Sequence, residues 1–107
     1  YMEDHYSEVS LSISHVCRQM NISEKSLQQI MKEHTGETFA ASLERIRVTH
    51  AAEYLLSTTW SNEKIAEATG FAAVSTFYRV FNKVMGMSPG SYRNTHAAIQ
   101  NSSNMKP

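Results

Sequence analysis

The chain has 107 residues, of which 41% are hydrophobic and 19% charged, so it can form one folded domain or two very small helical units. Ten basic and ten acidic residues give a formal net charge of zero, which counts against a strongly basic nucleic-acid-binding domain and predicts weak non-specific attraction to DNA. The single cysteine, Cys17, excludes an intramolecular disulfide and a multi-cysteine zinc site, and its apolar-periodic segment predicts a buried core position.

Residues 1–37 predict three short helices. Residues 1–7 place apolar side chains at helical spacing, and Ser12 is a suitable N-cap for the second helix. Asn21 tolerates the left-handed conformation and predicts a turn, after which a third helix begins at the N-cap Ser23 and ends at Gly36. The side chains predicted to point inward are Ile13, Val16, Cys17, Met20, Leu27, Ile30 and Met31.

Residues 38–58 predict one long helix. Thr38 is a good N-cap, and neither proline nor glycine interrupts the next twenty residues. The predicted apolar stripe consists of Phe39, Leu43, Ile46, Ala51, Leu55 and Leu56. A helix of about nineteen residues spans ~28 Å, so it would hold the segments on either side of it apart.

Residues 59–97 predict a second set of three helices, the first of them capped by Ser61. Gly70 ends that helix as a residue free to adopt a positive φ, and Ala66 is small enough for another helix to cross closely. Gly86 ends the next helix, whose apolar side chains are Val74, Phe77, Val80, Phe81 and Val84. Two helices joined by a sharp glycine turn predict a helix-turn-helix unit. Beyond residue 97 the apolar period fades, which predicts a flexible tail over 98–107.

The two helix pairs are an internal repeat. Asn21 and Ile22 correspond to Gly70 and Phe71, 49 residues later. The corresponding positions in the second helix of each pair lie 50 residues apart; they are Leu27 and Phe77, Ile30 and Val80, Met31 and Phe81, and Gly36 and Gly86.

The run I-A-x-x-x-G-F-x-x-x-S-x-F-x-x-x-F-x-x-x-x-G-x-S-P-x-x-Y-R over residues 65–93 resembles the signature of the AraC/XylS family of bacterial transcription regulators. Residues 44–51 resemble the arginine-bearing centre of the family's linker helix, whereas Asn62 stands where the family usually has an apolar residue. The resemblance implies an all-α fold of seven helices. Two helix-turn-helix subdomains, residues 1–37 and 59–97, would be joined by a linker helix over 38–58.

The resemblance also implies a function. The expected activity is sequence-specific binding of double-stranded operator or promoter DNA, with one recognition helix of each subdomain in adjacent major grooves. The chain would be the C-terminal part of a larger cytoplasmic, nucleoid-associated regulator that contacts RNA polymerase. We expect the isolated domain to be a monomer, to need no cofactor and to make no membrane contact, since no apolar run approaches the ~20 residues of a membrane span.

The same resemblance assigns the residues of the interface. Base-reading positions would be Lys25, Gln28, Gln29, Val74, Ser75, Thr76, Tyr78 and Arg79. Lysine and arginine suit guanine and glutamine suits adenine, whereas the start of the second recognition helix, Ala72, Ala73 and Val74, offers only methyl contacts to thymine. Phosphate contacts are predicted at helix N-termini and at basic side chains, namely Ser12, Ser23, Lys32, Ser61, Lys83 and Arg93.

The sequence also bears on two other classes of function, an enzyme and a protein-binding adaptor. The five histidines show no metal-binding spacing and no glycine-rich phosphate loop occurs, so neither an enzyme nor a metal site is predicted. A helical adaptor that contacts proteins and not DNA stays open as an alternative. The neutral charge and the apolar start of the second recognition helix favour it.

Overall fold

The computed structural model describes residues 2–8 and 11–104, and within them all regular secondary structure is helical, as predicted. The helices are α1 Met2–His5, α2 Ile13–Met20, α3 Glu24–Thr35, α4 Phe39–Ser57, α5 Asn62–Ala68, α6 Val74–Met85 and α7 Pro89–Asn104. Seven helices were predicted. The first of them is a single turn of four residues, which leaves six helices longer than one turn in the described part of the chain.

The helices begin and end where the local chemistry predicts. Ser12, Ser23 and Ser61 each have extended backbone, and their side-chain oxygens accept a hydrogen bond from the backbone N–H three residues later. Asn21, with φ 56°, ends α2 in the left-handed conformation, and Gly70 has φ 91° in the turn after α5. Both predicted turn residues are confirmed.

The long helix α4 has the predicted nineteen residues and connects two hydrophobic cores. The first core consists of Leu11, Val16, Cys17, Leu27, Met31, Phe39 and Leu43. The second core consists of Val48, Ala51, Ala52, Leu55, Ile65, Ala66, Phe71, Phe77, Val80 and Phe81. The N-terminal half of α4 thus packs on one core and its C-terminal half on the other. Neither α4 nor another helix in the described ranges is long and apolar enough to cross a membrane.

Four side chains predicted to be part of the apolar faces are exposed. The exposed fraction is 50% for Met20, 46% for Ile30, 39% for Leu56 and 38% for Val84. The predicted burial of these residues is wrong because periodicity defines a stripe wider than the surface that neighbouring helices cover. The repeat illustrates this: α6 packs against α4, α5 and α7, which bury Val80, whereas α3 packs mainly against α2 and leaves Ile30 at the surface.

The last helix overlaps the predicted tail. Helix α7 begins at Pro89 after the side-chain oxygen of Ser88 accepts from the N–H of Ser91, and it continues to Asn104. Residues 98–104 are therefore helical in backbone conformation, and residues 105–107 lie outside the described part of the chain. The flexibility expected of this segment stays a prediction.

Candidate nucleic-acid interface

The turn between α2 and α3 is fixed by backbone hydrogen bonds to a single carbonyl. The N–H groups of Asn21 and Ile22 both donate to the carbonyl oxygen of Cys17. The Ile22 nitrogen lies 3.1 Å from that oxygen. Ser23 then caps α3, and its hydroxyl donates to the Ser26 hydroxyl at 2.9 Å. Because the turn has little conformational freedom, the first two turns of α3 emerge from the first core in a defined direction.

The outward face of α3 carries three of the predicted base-reading residues. Lys25 and Gln29 are exposed, and the Gln29 amide donates to Glu33 at 3.3 Å. Gln28 is half-buried, and its side-chain oxygen accepts from the backbone N–H of Phe39 at 3.0 Å. Bidentate pairing with adenine needs an acceptor and a donor. Because the Gln28 side-chain oxygen already accepts a hydrogen bond from the start of α4, its amide N–H groups are the atoms available to contact a base.

Both signs of charge occur around α3. Lys25 and the predicted phosphate contact Lys32 are exposed. Glu24, in the first turn, accepts a hydrogen bond from Ser14 at 2.6 Å, and Glu33 accepts from the Gln29 amide. The carboxylates offset the two lysines, so α3 presents hydrogen-bonding groups without a strong positive potential.

The turn between α5 and α6 is more deeply buried than its counterpart. Thr69 is fully buried, and its hydroxyl donates to the carbonyl oxygen of Ile65 at 2.7 Å. The N–H of Phe71 donates to the carbonyl oxygen of Ala66 at 2.9 Å, and the Phe71 ring lies 5.3 Å from that of Phe77. Ala73 occupies the N-cap position of α6 and makes no side-chain capping hydrogen bond.

The predicted base-reading residues of α6 fall into two groups. Ser75, Tyr78 and Arg79 are exposed, and among the described residues no hydrogen bond or ion pair occupies the Arg79 side chain. Val74 and Thr76 are half-buried, and Val74 packs against the second core. The Tyr78 hydroxyl lies 3.4 Å from the amide nitrogen of Asn62, which donates to it. Arg79 is therefore an accessible cation on this face, whereas Lys83, one turn later, is paired with Glu44.

The residues predicted to bind phosphate differ in how far they are already engaged. Ser12, Ser23 and Ser61 cap helices, and each side chain accepts from one N–H of the first helical turn. The other N–H groups of a first turn have no acceptor within the helix itself. Lys83 pairs with Glu44 at 2.7 Å. Arg93 donates to the carbonyl oxygens of Leu55 at 3.0 Å and Trp60 at 2.9 Å, which ties α7 to the end of α4. The Arg93 guanidinium has a structural role, independent of any contact to phosphate.

Sequence reasoning missed Arg47, which belongs to the centre of α4. Its Nε donates to the carbonyl oxygen of Tyr6 at 2.8 Å, and its Nη2 donates to the carbonyl oxygen of Glu8 at 2.9 Å. Desolvation lowers the pKa of the Arg47 guanidinium, and the nearby Glu44 carboxylate opposes that shift. The signal available in the sequence was the arginine-bearing stretch 44–51, in which Arg47 lies between two apolar neighbours, Ile46 and Val48.

Cys17 and the histidines make no separate site. Cys17 is buried in the first core, as predicted, and desolvation raises the pKa of its thiol, with a smaller contribution from the Glu24 carboxylate. Over the described ranges, no cluster of three or more His, Cys, Asp or Glu side chains is arranged to hold a metal ion.

Comparison with known proteins gives consistent matches. Residues 16–95 match the family described as a helix-turn-helix domain. The chain is similar to the transcriptional activator NphR of Rhodococcus sp, with 32% identity over 98 residues that cover 92% of this chain and 29% of NphR. It thus spans less than a third of that relative.

Two solved structures resemble the fold closely. One is the C-terminal domain of AraT, a response regulator from Geobacillus stearothermophilus, with a TM-score of 0.87, 37% identity, and coverage of 89% of this chain and 78% of that one. The other is the DNA-binding domain of AdpA, a global transcriptional factor, in complex with a target DNA. It has a TM-score of 0.87, 21% identity, and coverage of 92% of this chain and 88% of that one.

Proposed function

The chain belongs to the AraC/XylS family of transcription regulators, and on that premise we propose that it binds double-stranded operator or promoter DNA in a sequence-specific manner. The α2–α3 and α5–α6 pairs would be two helix-turn-helix units, with α3 and α6 as recognition helices. The observation that carries this proposal is that both helices follow a left-handed turn, bury one face and expose polar side chains on the other.

The residues divide into two roles in this proposal. Direct contacts to base edges would come from Lys25, Gln29 and Arg79. Additional hydrogen bonds would come from the hydroxyl groups of Ser75, Thr76 and Tyr78. Gln28 would contribute only amide donors, and Val74 a methyl contact at most. Helix N-termini capped by Ser12, Ser23 and Ser61, together with Lys32, would hold the phosphates. Lys83 and Arg93 rank below them because each is already paired within the domain.

The length of α4 suits two adjacent major-groove segments. Nineteen residues span ~28 Å, close to the ~34 Å of one duplex turn. One monomer would therefore contact one side of an asymmetric site of ~16–20 base pairs, with two clusters of important bases about ten pairs apart. We further propose that the intact regulator acts in the cytoplasm at the nucleoid, contacts RNA polymerase and has no catalytic activity in this domain.

Selection of bound duplexes from a random pool tests this function. The expected result is the asymmetric two-cluster site, bound by a monomer, with a shallow salt dependence because few phosphates are neutralised. A log–log salt slope steeper than about −8 would contradict the small phosphate count. A palindrome bound only by a dimer would contradict the side-by-side arrangement of the two recognition helices.

The neutral net charge favours a second candidate, a helical protein-binding adaptor. Mobility shift at low salt separates the two. An adaptor gives no retarded band with any duplex, including a pool of genomic fragments, whereas a DNA-binding domain retards at least a fraction of that pool.

A further inference from the structure

Arg47 lies where α4 passes from one core to the other. Leu43, one turn earlier, belongs to the first core, and Val48, the next residue, is fully buried in the second core. A side chain at this point can contact elements of both cores at once. Arg47 does so with a guanidinium that is half-buried.

On one side, Arg47 holds the segment that connects α1 to α2. Its Nε and Nη2 donate to the carbonyl oxygens of Tyr6 and Glu8 at 2.8 and 2.9 Å. Tyr6 packs against the first core, and its ring stacks on that of His50 at a centroid distance of 4.0 Å. Residues 6–8 are therefore attached to the first core, and Arg47 attaches them to α4 across about forty residues of sequence. Hydrogen bonds from a charged donor are roughly twice as strong as neutral ones.

On the other side, the same group lies against the α5–α6 turn of the second core. The Arg47 guanidinium carbon is 5.9 Å from the centroid of the Phe71 ring. A Cβ added to Gly70 would overlap the carbonyl oxygen of Tyr6 and would lie 2.9 Å from Arg47 Nε. The backbone at Gly70 is thus in direct contact with residues 6–8, and only glycine permits that approach.

A second link joins the long helix to α6 nearby. Glu44, one turn before Arg47, pairs with Lys83 of α6 at 2.7 Å. This pair is largely solvent-exposed, so it contributes little by itself. The half-buried guanidinium and the close approach at Gly70 are the stronger part of the junction.

We propose that Arg47 is a specificity-determining residue that acts by positioning. Arg47 holds residues 6–8, which are attached to the first core, against the turn at Gly70 and Phe71 of the second core. In this way it sets which spacing between two groups of bases the domain accepts. The inference rests on the proposed DNA-binding function. Each base pair inserted between the two groups moves one of them by ~3.4 Å and rotates it by about 35°, so a rigid junction tolerates few spacings.

The first test measures the orientation of the two cores without DNA. Spin labels are placed at Gln19→Cys and Asn82→Cys, both at exposed positions, in a Cys17→Ala background, and the distance distribution between them is recorded. We expect a narrow distribution that broadens in Arg47→Met, which keeps the length of the side chain and removes its donors. The control is Arg45→Met, two residues from Arg47 on the same helix. It removes an exposed ion pair between Arg45 and Glu37 and should leave the width of the distance distribution unchanged.

If Arg47→Met loses its helical circular dichroism, the distance distribution is measured in Arg47→Lys in its place. Lysine retains the charge and can reach only one of the two carbonyl oxygens. A distribution broader than that of the wild type supports the junction. An unchanged width in a folded Arg47→Met or Arg47→Lys variant overturns it.

The second test uses DNA. The selected duplex is compared with versions carrying one base pair more or fewer between the two clusters. We expect the wild type and Arg45→Met to lose about tenfold or more in affinity for either change, and Arg47→Met to lose about threefold or less. Equal spacing profiles for Arg47→Met and wild type overturn the role in specificity. If the wild type binds no duplex, the proposed function fails and the spacing role with it, whereas the distance measurement still decides whether Arg47 fixes the two cores.

Discussion

The first and second cores each contain two helices joined by a left-handed turn, but they differ in how many other helices pack on that pair and in what stabilises it. In the second core, Phe77 and Phe81 are fully buried, and the Phe81 ring contacts those of Phe77 and Tyr92 at 5.7 Å. The first core has Leu27 and Met31 at the positions of the two phenylalanines, each 7–8% exposed. Its candidate recognition helix α3 is capped by Ser23, whereas α6 starts at Ala73 without a side-chain cap.

This difference suggests that one unit contributes more to stability and the other more to base reading. Large aromatic side chains bury much apolar area, so α6 can be held in place by packing alone. The smaller first core depends more on caps and on the hydrogen bond between Gln28 and Phe39. The better-packed unit also carries the less polar of the two proposed recognition surfaces, because Ala72, Ala73 and Val74 begin it. We therefore expect the second unit to dominate stability and the first to read more bases.

The largest effect is expected in the second core. Phe77→Ala removes a fully buried ring and should lower the free energy of unfolding by about 3–5 kcal/mol. Leu27→Ala at the matching position should cost about 2–3 kcal/mol, because flexible Met31 can partly fill the space. Urea denaturation of both variants measures this. A greater loss for Leu27→Ala would reverse the proposed order of the two cores.

The two turns should also differ. Gly70→Val introduces left-handed strain of about 1–3 kcal/mol and, in addition, overpacking against Tyr6 and Arg47. Gly86→Val is the matched control, since Gly86 has φ 75° but nothing within 4 Å of an added Cβ. Asn21→Gly, in the first turn, should be tolerated because glycine adopts φ 56° readily. Thermal melts compare the three, and equal melting points for Gly70→Val and Gly86→Val would argue against the close contact.

On DNA, each recognition helix should affect its own cluster of bases. Lys25→Ala should relax base preference in one cluster and Arg79→Ala in the other. Each substitution should weaken the free energy of binding by about 1–3 kcal/mol. We expect fewer specified bases in the cluster that Arg79 would contact. The two losses should add, because the side chains share no partner. Repeating the duplex selection with each variant and with the double variant measures this. Relaxation of the same bases by both substitutions would contradict the assignment of one helix to each cluster.

The smallest effects concern the caps and run in opposite directions. Ser23→Ala should destabilise the domain by about 1 kcal/mol, because the Ser26 N–H loses its acceptor. Ala73→Ser should stabilise it by about 0.5–1 kcal/mol, since Ala73 already has the extended backbone of an N-cap, φ −142° and ψ 145°. Chemical denaturation resolves differences of this size. A destabilised Ala73→Ser variant would mean that the start of α6 leaves no room for a capping hydroxyl.

Much of the fold was predictable because it depends on local chemistry. The caps Ser12, Ser23 and Ser61, the left-handed Asn21 and the nineteen-residue α4 follow from residue types and their spacing. The repeat in the sequence likewise predicts that two helix pairs recur along the chain. Outward positions such as Lys25 and Arg79 could be identified in the same way, since one face of each helix had to be polar.

What the sequence by itself determined, therefore, is the helical class, the helix bounds over most of the chain, the family and the two candidate recognition helices. The tertiary structure decided how individual side chains are used. Periodicity could not show that Ile30 is exposed while Val80 is buried, because that depends on how many helices pack against each position. Nor could it show that Arg93 and Arg47 donate to carbonyl oxygens 38 and 41 residues away. Such partners meet only when the whole chain has folded, so their roles follow from contacts between elements and not from the pattern within one element.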